Sequence, residues 1–446
     1  MMLTRWILFS TAAVAAALLT GSCTPVSRTA RPIDKINHVI VIFQENWSFD
    51  GLYGVFPGAN GIANAGATIN QVDKEGQPYI TLPAVIDNTK RPPAIEARIP
   101  PDLPVKPFDL SPYIPPDQRT GVPVHLFYTQ QAQINGGKMD KFVAWSNTGG
   151  LVMSYYDATQ LPIGKLALQY TLADNFFHAA FGGSFLNHFW LICACTPVWP
   201  NSPANLIATF DAQGNVVNDN AVTPDGYVVN TALSINRPHP ARVTDPAQLM
   251  PSQTSPTIGD RLSEKGISWA WYAQGWDDAL AGHPDPTFAF HHQPFVYFVN
   301  YADGTKAKAA HLKDERDFLR ALTTNTLPAV SFIVLLDSDS EHPGLGSVLK
   351  GQEHVARLVK AVQESRYWAD SAIVITYDEN GGRWDHVPPP VVGSVGSRNA
   401  RPGHHHLPVC QERVRGSHTI RHDIDPQVHR DTMEPGAFGH ARRRRQ

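Results

Sequence analysis

Four short apolar segments, three of them preceded by helical patterns, place the strongest limit on how this chain can fold. Continuous apolar strands, rather than alternating ones, are typical of a parallel sheet that is covered on both faces. The sequence therefore predicts an α/β fold, with a doubly wound, mostly parallel sheet and helices on both faces. The strand-like segments are "HVIVIF" (38–43), "ISWAWY" (267–272), "AVSFIVLL" (329–336) and "AIVIT" (372–376), and the helical ones are "PTIGDRLSEKG", "HLKDERDFLRAL" and "EHVARLVKAVQES".

Two regions interrupt this alternation of helix and strand. Residues 68–124 are rich in proline, and residues 198–256 are rich in asparagine, proline and glycine with short β-like pieces. We interpret both as loop and β insertions around the functional site. The chain has 446 residues and a formal net charge of −3. That length is ample for a large core, and the near-neutral charge gives no reason to expect a nucleic-acid partner.

The first residues, 1–23, have the pattern of an export signal. Arg5 precedes the apolar run "WILFSTAAVAAALLT", which is too short and too early to favour a membrane-spanning helix. Cys23 in "LLTGSCTP" resembles a lipoprotein cleavage site, so a lipid anchor and a simple secretory signal both stay open. We expect an exported protein, whether periplasmic, secreted or lipid-anchored, that meets a membrane only through Cys23. The remaining cysteines are too few for a disulfide scaffold, and we interpret Cys193 and Cys195 as buried small residues.

Two predicted strands end in a carboxylate beside an amide or a second carboxylate. Glu45 and Asn46 follow the first strand, and Asp378 and Glu379 follow the last. In open α/β sheets ligands bind beyond the carboxyl ends of the strands. Clustered carboxylates repel each other unless a proton or a cation neutralises them, and oxygen ligands suit hard divalent metals. The pair of motifs favours a shared metal, although each motif alone is also typical of a solvated loop.

The segment "GGSFLNHFWLIC" places Ser184 at or near the start of an apolar helix. Backbone N–H groups at a helix N-terminus favour an anion, and a serine hydroxyl needs activation before it can attack phosphorus. A metal bound to its oxygen would supply that activation. The alternative is that Ser184 merely caps the helix.

Five motifs together resemble one bacterial family. The chain resembles the phosphoesterase family of secreted acid phosphatases and phospholipases C, within the alkaline phosphatase-like superfamily, and the likeness defines an expected catalytic domain at residues 33–392. Trp47 departs from the resemblance, since the family usually has arginine there. The motifs, in chain order, are "NHVIVIFQENWSFDGLYG", "GGSFLNH", "HHQPFVYF", "EHPGLGSVLKGQEHV" and "TYDENGGRWDHVPPP".

The resemblance implies the roles of particular residues. Ser184 matches the nucleophile, and it would attack a phosphate ester in line and form a phosphoserine that water then hydrolyses. The sequence around Ser184 points to the acid phosphatase branch, with a phospholipase C-type phosphodiesterase as the alternative. One divalent metal ion is implied, with calcium, magnesium or manganese favoured by the oxygen ligands. The implied metal ligands are Glu45, Asn46, Ser184, Asp378 and Glu379.

Three histidines are candidates to hold the phosphate oxygens and protonate the leaving group. These are His125, His292 and His342, with His291 as the substitute for His292. Activity at acid pH would fit protonated histidines, whose ordinary pKa is about 6.5. We assign supporting roles around the site to His188, Asp385 and His386.

The last residues, 393–446, do not continue the fold pattern. They lack apolar periodicity and carry clusters of histidine and arginine, which fits a basic disordered tail or a metal-binding cluster at His404–His406. A third reading is a frameshift between about 391 and 401. Residues 421–431, "RHDIDPQVHRD", can be back-translated so that a one-base shift spells "DTTSILKFIE", a motif of the family in its expected place. We predict an aberrant, disordered tail, and an inactive truncated remnant stays open beside a working enzyme.

Overall fold

The structure is a computed structural model of the chain and describes residues 32–390. The expected signal at 1–23, including Cys23, and the tail at 393–446 lie outside the described residues. Within residues 32–390 no helix has the length and apolar character needed to cross a bilayer. The predictions on export, lipidation and the tail therefore remain predictions.

The strands of the described chain are β1 (His38–Gln44), β2 (Ile86–Asp87), β3 (Ala94–Ile95), β4 (Phe108–Asp109), β5 (Ser154–Tyr155), β6 (Thr209–Phe210), β7 (Val216–Asn218), β8 (Leu233–Ser234), β9 (Leu249–Met250), β10 (Trp269–Ala273), β11 (Leu312–Asp314), β12 (Val330–Val334) and β13 (Ser371–Tyr377). Five of them form the central parallel sheet, in the order β11-β10-β12-β1-β13. All four apolar segments of the sequence become neighbouring strands of this sheet. Val39 of β1 lies between Val330 of β12 and Ala372 of β13. The predicted parallel α/β sheet is confirmed.

Helices connect and cover these strands. They are α1 (Phe49–Tyr53), α2 (Phe127–Ile134), α3 (Pro162–Gln169), α4 (Ser184–Cys193), α5 (Ile258–Glu264), α6 (Trp276–Leu280), α7 (Lys306–His311), α8 (Glu315–Thr324) and α9 (Val348–Gln363). On one face of the sheet, Ile40 and Ile42 share a core with α3, α8 and α9. On the other face, Phe43 and Trp271 share a core with Phe185 and Phe189 of α4. Because successive strand side chains point to opposite faces, β1 contributes to both cores and its end lies between the two layers.

Local signals explain where two of the predicted helices begin and end. Thr257 and Asp260 form a capping box at the start of α5, and Gly266 follows the helix with φ of +66°. In α9, Val355, Leu358, Val359 and Val362 form the buried stripe that the sequence predicts.

The helix predicted across "HLKDERDFLRAL" is wrong in its first part. Leu312–Asp314 is an edge strand, and α8 begins only at Glu315. Asp314 is the cause, because its extended backbone and its side chain cap the helix through the N–H of Arg316.

The two regions interpreted as insertions contain loops, 3₁₀ turns and strands of two or three residues. One interpretation near them is wrong, because Cys193 and Cys195 are joined by a disulfide at the end of α4 and are only half-buried.

Candidate active site

The ends of β1 and β13 bring the two acidic motifs together. Gln44 pairs with Tyr377 at the last position of the ladder, so Glu45 and Asp378 leave the sheet side by side. The backbone N–H of Asn46 donates to Oδ1 of Asp378 at 2.9 Å. Gly381 passes so close that a β-carbon there would lie 2.1 Å from the carbonyl oxygen of Asn46. The sequence motifs on these two strands thus form one cluster.

Ser184 lies at this cluster as the first residue of α4, with Gly183 as the N-cap. Its hydroxyl donates to Oε2 of Glu45 at 2.9 Å and lies 3.3 Å from Oδ1 of Asn46. The alternative that Ser184 caps the helix is therefore wrong, because its side chain points toward the acidic cluster and not back onto the helix backbone. Ser184 is only 6% exposed, so the hydroxyl is shielded from bulk water.

The oxygen atoms of this cluster fit a bound cation. Oε1 of Glu45, Oδ2 of Asp378 and Oε1 of Glu379 are buried and accept no hydrogen bond within the described chain. Burial, together with the charge of Asp378, raises the pKa of Glu45 and of Glu379. Buried carboxylate oxygens without partners are costly, and a divalent cation would remove that cost. The donor set of carboxylates, one amide and one hydroxyl suits a hard metal.

His292 and His188 approach the same cluster from the side of Glu45. Nε2 of His292 lies 3.3 Å from Oε1 of Glu45, and Nε2 of His188 lies 3.9 Å from the same atom. The two imidazole rings are stacked, with centroids 4.5 Å apart. Glu45, His188 and His292 therefore form a further group of side chains that could hold a metal ion. Sequence reasoning gave His188 only a supporting role, although its position one turn after Ser184 on α4 was a signal that it faces the site.

Asp337 is a member of the site that sequence reasoning missed. It follows β12, the strand next to β1, and its Oδ1 lies 3.6 Å from Nδ1 of His292. Burial and the charge of Asp378 raise its pKa to about 8. Its place after a central strand, in "LLDSDSEHPG", was the available signal.

His125 and His342 lie on another side of the cluster, with ring centroids 6.5 Å apart. Nδ1 of each ring is 2.7 Å from a proline carbonyl oxygen, that of Pro123 and that of Pro343. A carbonyl only accepts, so Nδ1 of each ring carries the proton and Nε2 remains available to the site. Nε2 of His125 lies 3.8 Å from Oε1 of Glu379.

The histidines do not have the protonation expected from their ordinary pKa. Burial lowers the pKa of His125, lowers that of His292 further, and lowers that of His342 to about 4. The same effect lowers the pKa of His291, beside His292, to about 3. The lowered pKa values favour the neutral form of the rings, which differs from the expectation of protonated histidines. The sequence does not show how deeply each ring is buried, so it could not predict the lowered pKa values.

His178 is another histidine that sequence reasoning did not select. It lies in the loop before α4, half-buried, in "NFFHAAFGGS". Burial lowers its pKa to about 4, against the opposing effect of the Asp378 charge.

Asp385 and His386 connect the segment after Glu379 to the start of α1. The backbone N–H of His386 donates to Oδ2 of Asp50 at 2.7 Å, and Nδ1 of its ring is also 2.7 Å from that atom. The N–H of Asp50 donates to Asp385 at 3.2 Å. These three residues are also close enough together to be possible metal ligands. Their contacts fit the supporting role that we assign to Asp385 and His386.

A buried serine with carboxylates and histidines, at the carboxyl end of a parallel sheet, is an arrangement typical of hydrolytic α/β enzymes. The comparison with protein families gives the particular kind. The model of the Phosphoesterase family matches residues 36–418. The chain belongs to the Phosphoesterase family.

Curated relatives from three organisms are similar to most of this chain. Phospholipase C A of Mycobacterium tuberculosis (strain CDC 1551 / Oshkosh) is 25% identical over 407 residues, 85% of this chain and 66% of the relative. Non-hemolytic phospholipase C of Pseudomonas aeruginosa is 26% identical over 408 residues, 86% and 48% of the two chains. Non-specific phospholipase C3 of Arabidopsis thaliana is 24% identical over 370 residues, 80% and 57%. This chain spans about half to two thirds of the length of these relatives.

Proposed function

We propose that this protein is an exported acid phosphatase that cleaves phosphate monoesters through Ser184. The observation that carries the proposal is the hydrogen bond of 2.9 Å from the Ser184 hydroxyl to Glu45, inside a cluster of carboxylates that each have one buried oxygen without a hydrogen bond. A serine hydroxyl held against an acceptor, at the start of a helix, is arranged for attack on an anionic centre. The proposed fold class is the doubly wound, alkaline phosphatase-like form of the parallel sheet.

The residues proposed to hold one divalent cation are Glu45, Asn46, Ser184, Asp378 and Glu379. Their unpartnered oxygen atoms support this set, and His188 and His292 beside Glu45 provide nitrogen donors at its edge. When bound, the cation would lower the pKa of the Ser184 hydroxyl and balance the negative charge of the phosphate. The oxygen donors favour calcium, magnesium or manganese.

The side chains of the chain itself then have separate tasks. Ser184 passes its hydroxyl proton to Oε2 of Glu45 and attacks phosphorus, and the bond to the leaving oxygen breaks on the opposite side as the phosphoserine forms. His125, His292 and His342 bind the phosphate through Nε2, which in a neutral ring accepts the proton of the substrate monoanion, and one ring passes this proton to the leaving oxygen. Water then hydrolyses the phosphoserine and frees Ser184. The neutral state of the buried rings supports this role, because neutral imidazole can accept a proton and return it.

A phospholipase C-type phosphodiesterase is the second candidate. The observation that favours it is that the curated relatives described above are named phospholipases C. Serine at the nucleophile position, within "GGSFLNH", favours the phosphatase, and so does the small exposure of Ser184, since a nearly enclosed hydroxyl suits a small ester.

The test compares two substrates with the wild-type protein and one variant. Purified protein is assayed with p-nitrophenyl phosphate and with phosphatidylcholine, each with and without added Mn²⁺. The phosphatase proposal expects hydrolysis mainly of p-nitrophenyl phosphate, and loss of at least about 10³-fold in Ser184→Ala. The half-buried Ser202, which lies in a loop of the insertion, gives the matched control Ser202→Ala. Preference for phosphatidylcholine would replace the first candidate by the second, and full activity of Ser184→Ala would refute the nucleophile.

A further inference from the structure

Arg383 is a buried cation that has no carboxylate partner. Its side chain is fully buried, and among residues 32–390 no carboxylate oxygen is paired with its guanidinium. Its N–H groups donate to two neutral hydroxyls, Oγ of Ser154 at 3.0 Å and Oγ1 of Thr120 at 3.3 Å, and Nε has no partner. A charge buried in this way is costly and is kept only where its surroundings favour it strongly.

The face of Trp47 supplies the missing partner. The guanidinium carbon of Arg383 lies 3.7 Å from the centroid of the Trp47 ring, and Trp47 is itself only 3% exposed. A cation over an aromatic face gains most when both are shielded from water. Gly51 makes the contact possible, because a β-carbon there would lie 3.1 Å from the indole and 3.6 Å from Cδ of Arg383.

The pair joins the two segments that carry the proposed metal ligands. Trp47 directly follows Asn46 in the segment after β1, and Arg383 closes the turn that begins at Asn380, the residue after Glu379. The N–H of Arg383 donates to the carbonyl of Asn380 at 3.0 Å, which closes this turn. Stacking of the two side chains therefore ties the segment of Asn46 to the segment of Glu379.

Trp47 also holds the segment of His342. Its indole Nε1 donates to the carbonyl oxygen of Glu341 at 3.1 Å. Glu341 has φ of +72°, a strained conformation for a residue with a side chain, and it directly precedes His342. The indole of Trp47 thus contacts Arg383 through the face of its ring and the segment of His342 through its N–H group.

We propose that Trp47 and Arg383 are a positioning pair, which sets the geometry of the cation site through ring stacking and the direction of His342 through the indole N–H. The inference rests on the proposed function, since it assigns a task within that metal site. Neither residue is one of the proposed cation ligands. Their contribution is to hold Asn46, Glu379 and His342 in one arrangement.

A double-mutant cycle on Mn²⁺ affinity tests the pair. Wild type, Arg383→Met, Trp47→Leu and the double variant are titrated with Mn²⁺ by calorimetry, and their thermal unfolding is recorded in parallel. We expect each single variant to bind Mn²⁺ at least about tenfold more weakly, and the double variant to be no weaker than the worse single one. Arg366→Met is the matched control, because Arg366 is exposed and lies 5.8 Å from the ring of Tyr367, and it should bind Mn²⁺ like the wild type.

Milder variants cover the case in which the first ones do not fold. Arg383→Lys keeps the charge without the planar group and should weaken Mn²⁺ binding about tenfold. Trp47→Phe keeps a ring but loses the N–H to Glu341, so it should keep Mn²⁺ affinity while kcat falls and its pH profile shifts through His342.

The outcomes separate this inference from the proposed function. Additive effects of the two single variants, or lower stability with unchanged Mn²⁺ affinity, would overturn the positioning pair alone. Wild-type protein that binds no Mn²⁺ would overturn the proposed metal site and the pair with it.

Discussion

The hydroxyl of Ser184 donates to Oε2 of Glu45 at 2.9 Å across 139 positions of the sequence. One partner stands at the start of α4 and the other directly after β1, so the contact depends on the packing of that helix against the sheet. Phe185 and Phe189 of α4 and Phe43 of β1 belong to the same core. The apolar core that packs α4 against the sheet therefore also places Ser184 beside Glu45.

Glu45→Gln is expected to separate activity from stability. The amide oxygen still accepts the Ser184 hydrogen bond, but the charge that favours a cation is gone. Because burial raises the pKa of Glu45, the neutral amide removes a destabilising charge from the protein without metal. We expect kcat/KM for p-nitrophenyl phosphate to fall roughly 10²–10³-fold, while the unfolding temperature without metal stays equal or rises. Activity rates and thermal unfolding measure the two effects, and a variant that loses stability but keeps its rate would contradict the role of Glu45.

Metal removal should lower both activity and stability. A chelator is expected to abolish hydrolysis, since the oxygens of Glu45, Asp378 and Glu379 then repel one another. Added Mn²⁺ at about 100 times its Kd should restore activity and stabilise the fold by about 2.7 kcal/mol. Asp378→Asn is the control, because its unfolding temperature should respond only weakly to Mn²⁺. Chelated protein with full activity would exclude a metal-dependent mechanism.

Gly381→Ala tests how closely the two acidic segments approach each other. Gly381 has φ of +61°, and an added β-carbon would lie 2.1 Å from the carbonyl oxygen of Asn46. We expect a loss of unfolding free energy of about 3 kcal/mol or more and nearly complete loss of activity. Gly266→Ala is the matched control, since Gly266 has φ of +66° with no atom within 4 Å of the added carbon, and it should lose only about 1 kcal/mol. Equal effects of the two variants would show that backbone conformation alone is responsible.

The sequence predicted which residues follow the ends of the parallel strands. It did not predict the features that depend on burial or on a single helix-capping residue. Glu45, Asn46, Asp378 and Glu379 were predictable because apolar runs mark where parallel strands stop. The strand at Leu312–Asp314 was missed because Asp314 alone separates it from α8. The sequence shows that Trp47 departs from the family resemblance, but only the structure shows that Arg383 stacks on its ring. Contacts between distant segments leave no periodic pattern in a sequence, so no reading of local pattern could have supplied this pair.

His354 should make the stability of the fold depend on pH in the alkaline range. Nε2 of His354 lies 2.6 Å from Oε1 of Glu315, and Nδ1 lies 3.5 Å from Oδ2 of Asp339. Burial lowers the pKa of His354, but the two carboxylates outweigh burial and raise it to about 9. The folded pKa lies above the unfolded value of about 6.5, so the stabilisation is complete below pH 6.5 and is lost as pH rises through about 9.

The free energy of unfolding of His354→Gln is therefore expected to be about 2–3 kcal/mol lower than that of the wild type at pH 6. At pH 10 the two should differ little. Urea unfolding at a series of pH values measures the difference. The exposed His283 provides the control variant His283→Gln, which should follow the wild type throughout. A difference that stays constant between pH 6 and pH 10 would mean that His354 acts through packing and not through its charge.

The exposed side of β13 leads to a prediction about the reading frame of the tail. Among the described residues β13 pairs only with β1, at the edge of the sheet, and Val374 in its middle is 41% exposed. An apolar edge of this kind is ordinarily paired or covered. We expect that the codons after residue 390, when translated in the shifted frame, encode the sequence motifs of the family, including "DTTSILKFIE". A protein made from the corrected frame should be more stable by about 2 kcal/mol or more, because a further strand or helix would cover β13. A version stopped after residue 392 is the control and should unfold like the original chain, whereas bases that do not encode these motifs would end the frameshift hypothesis.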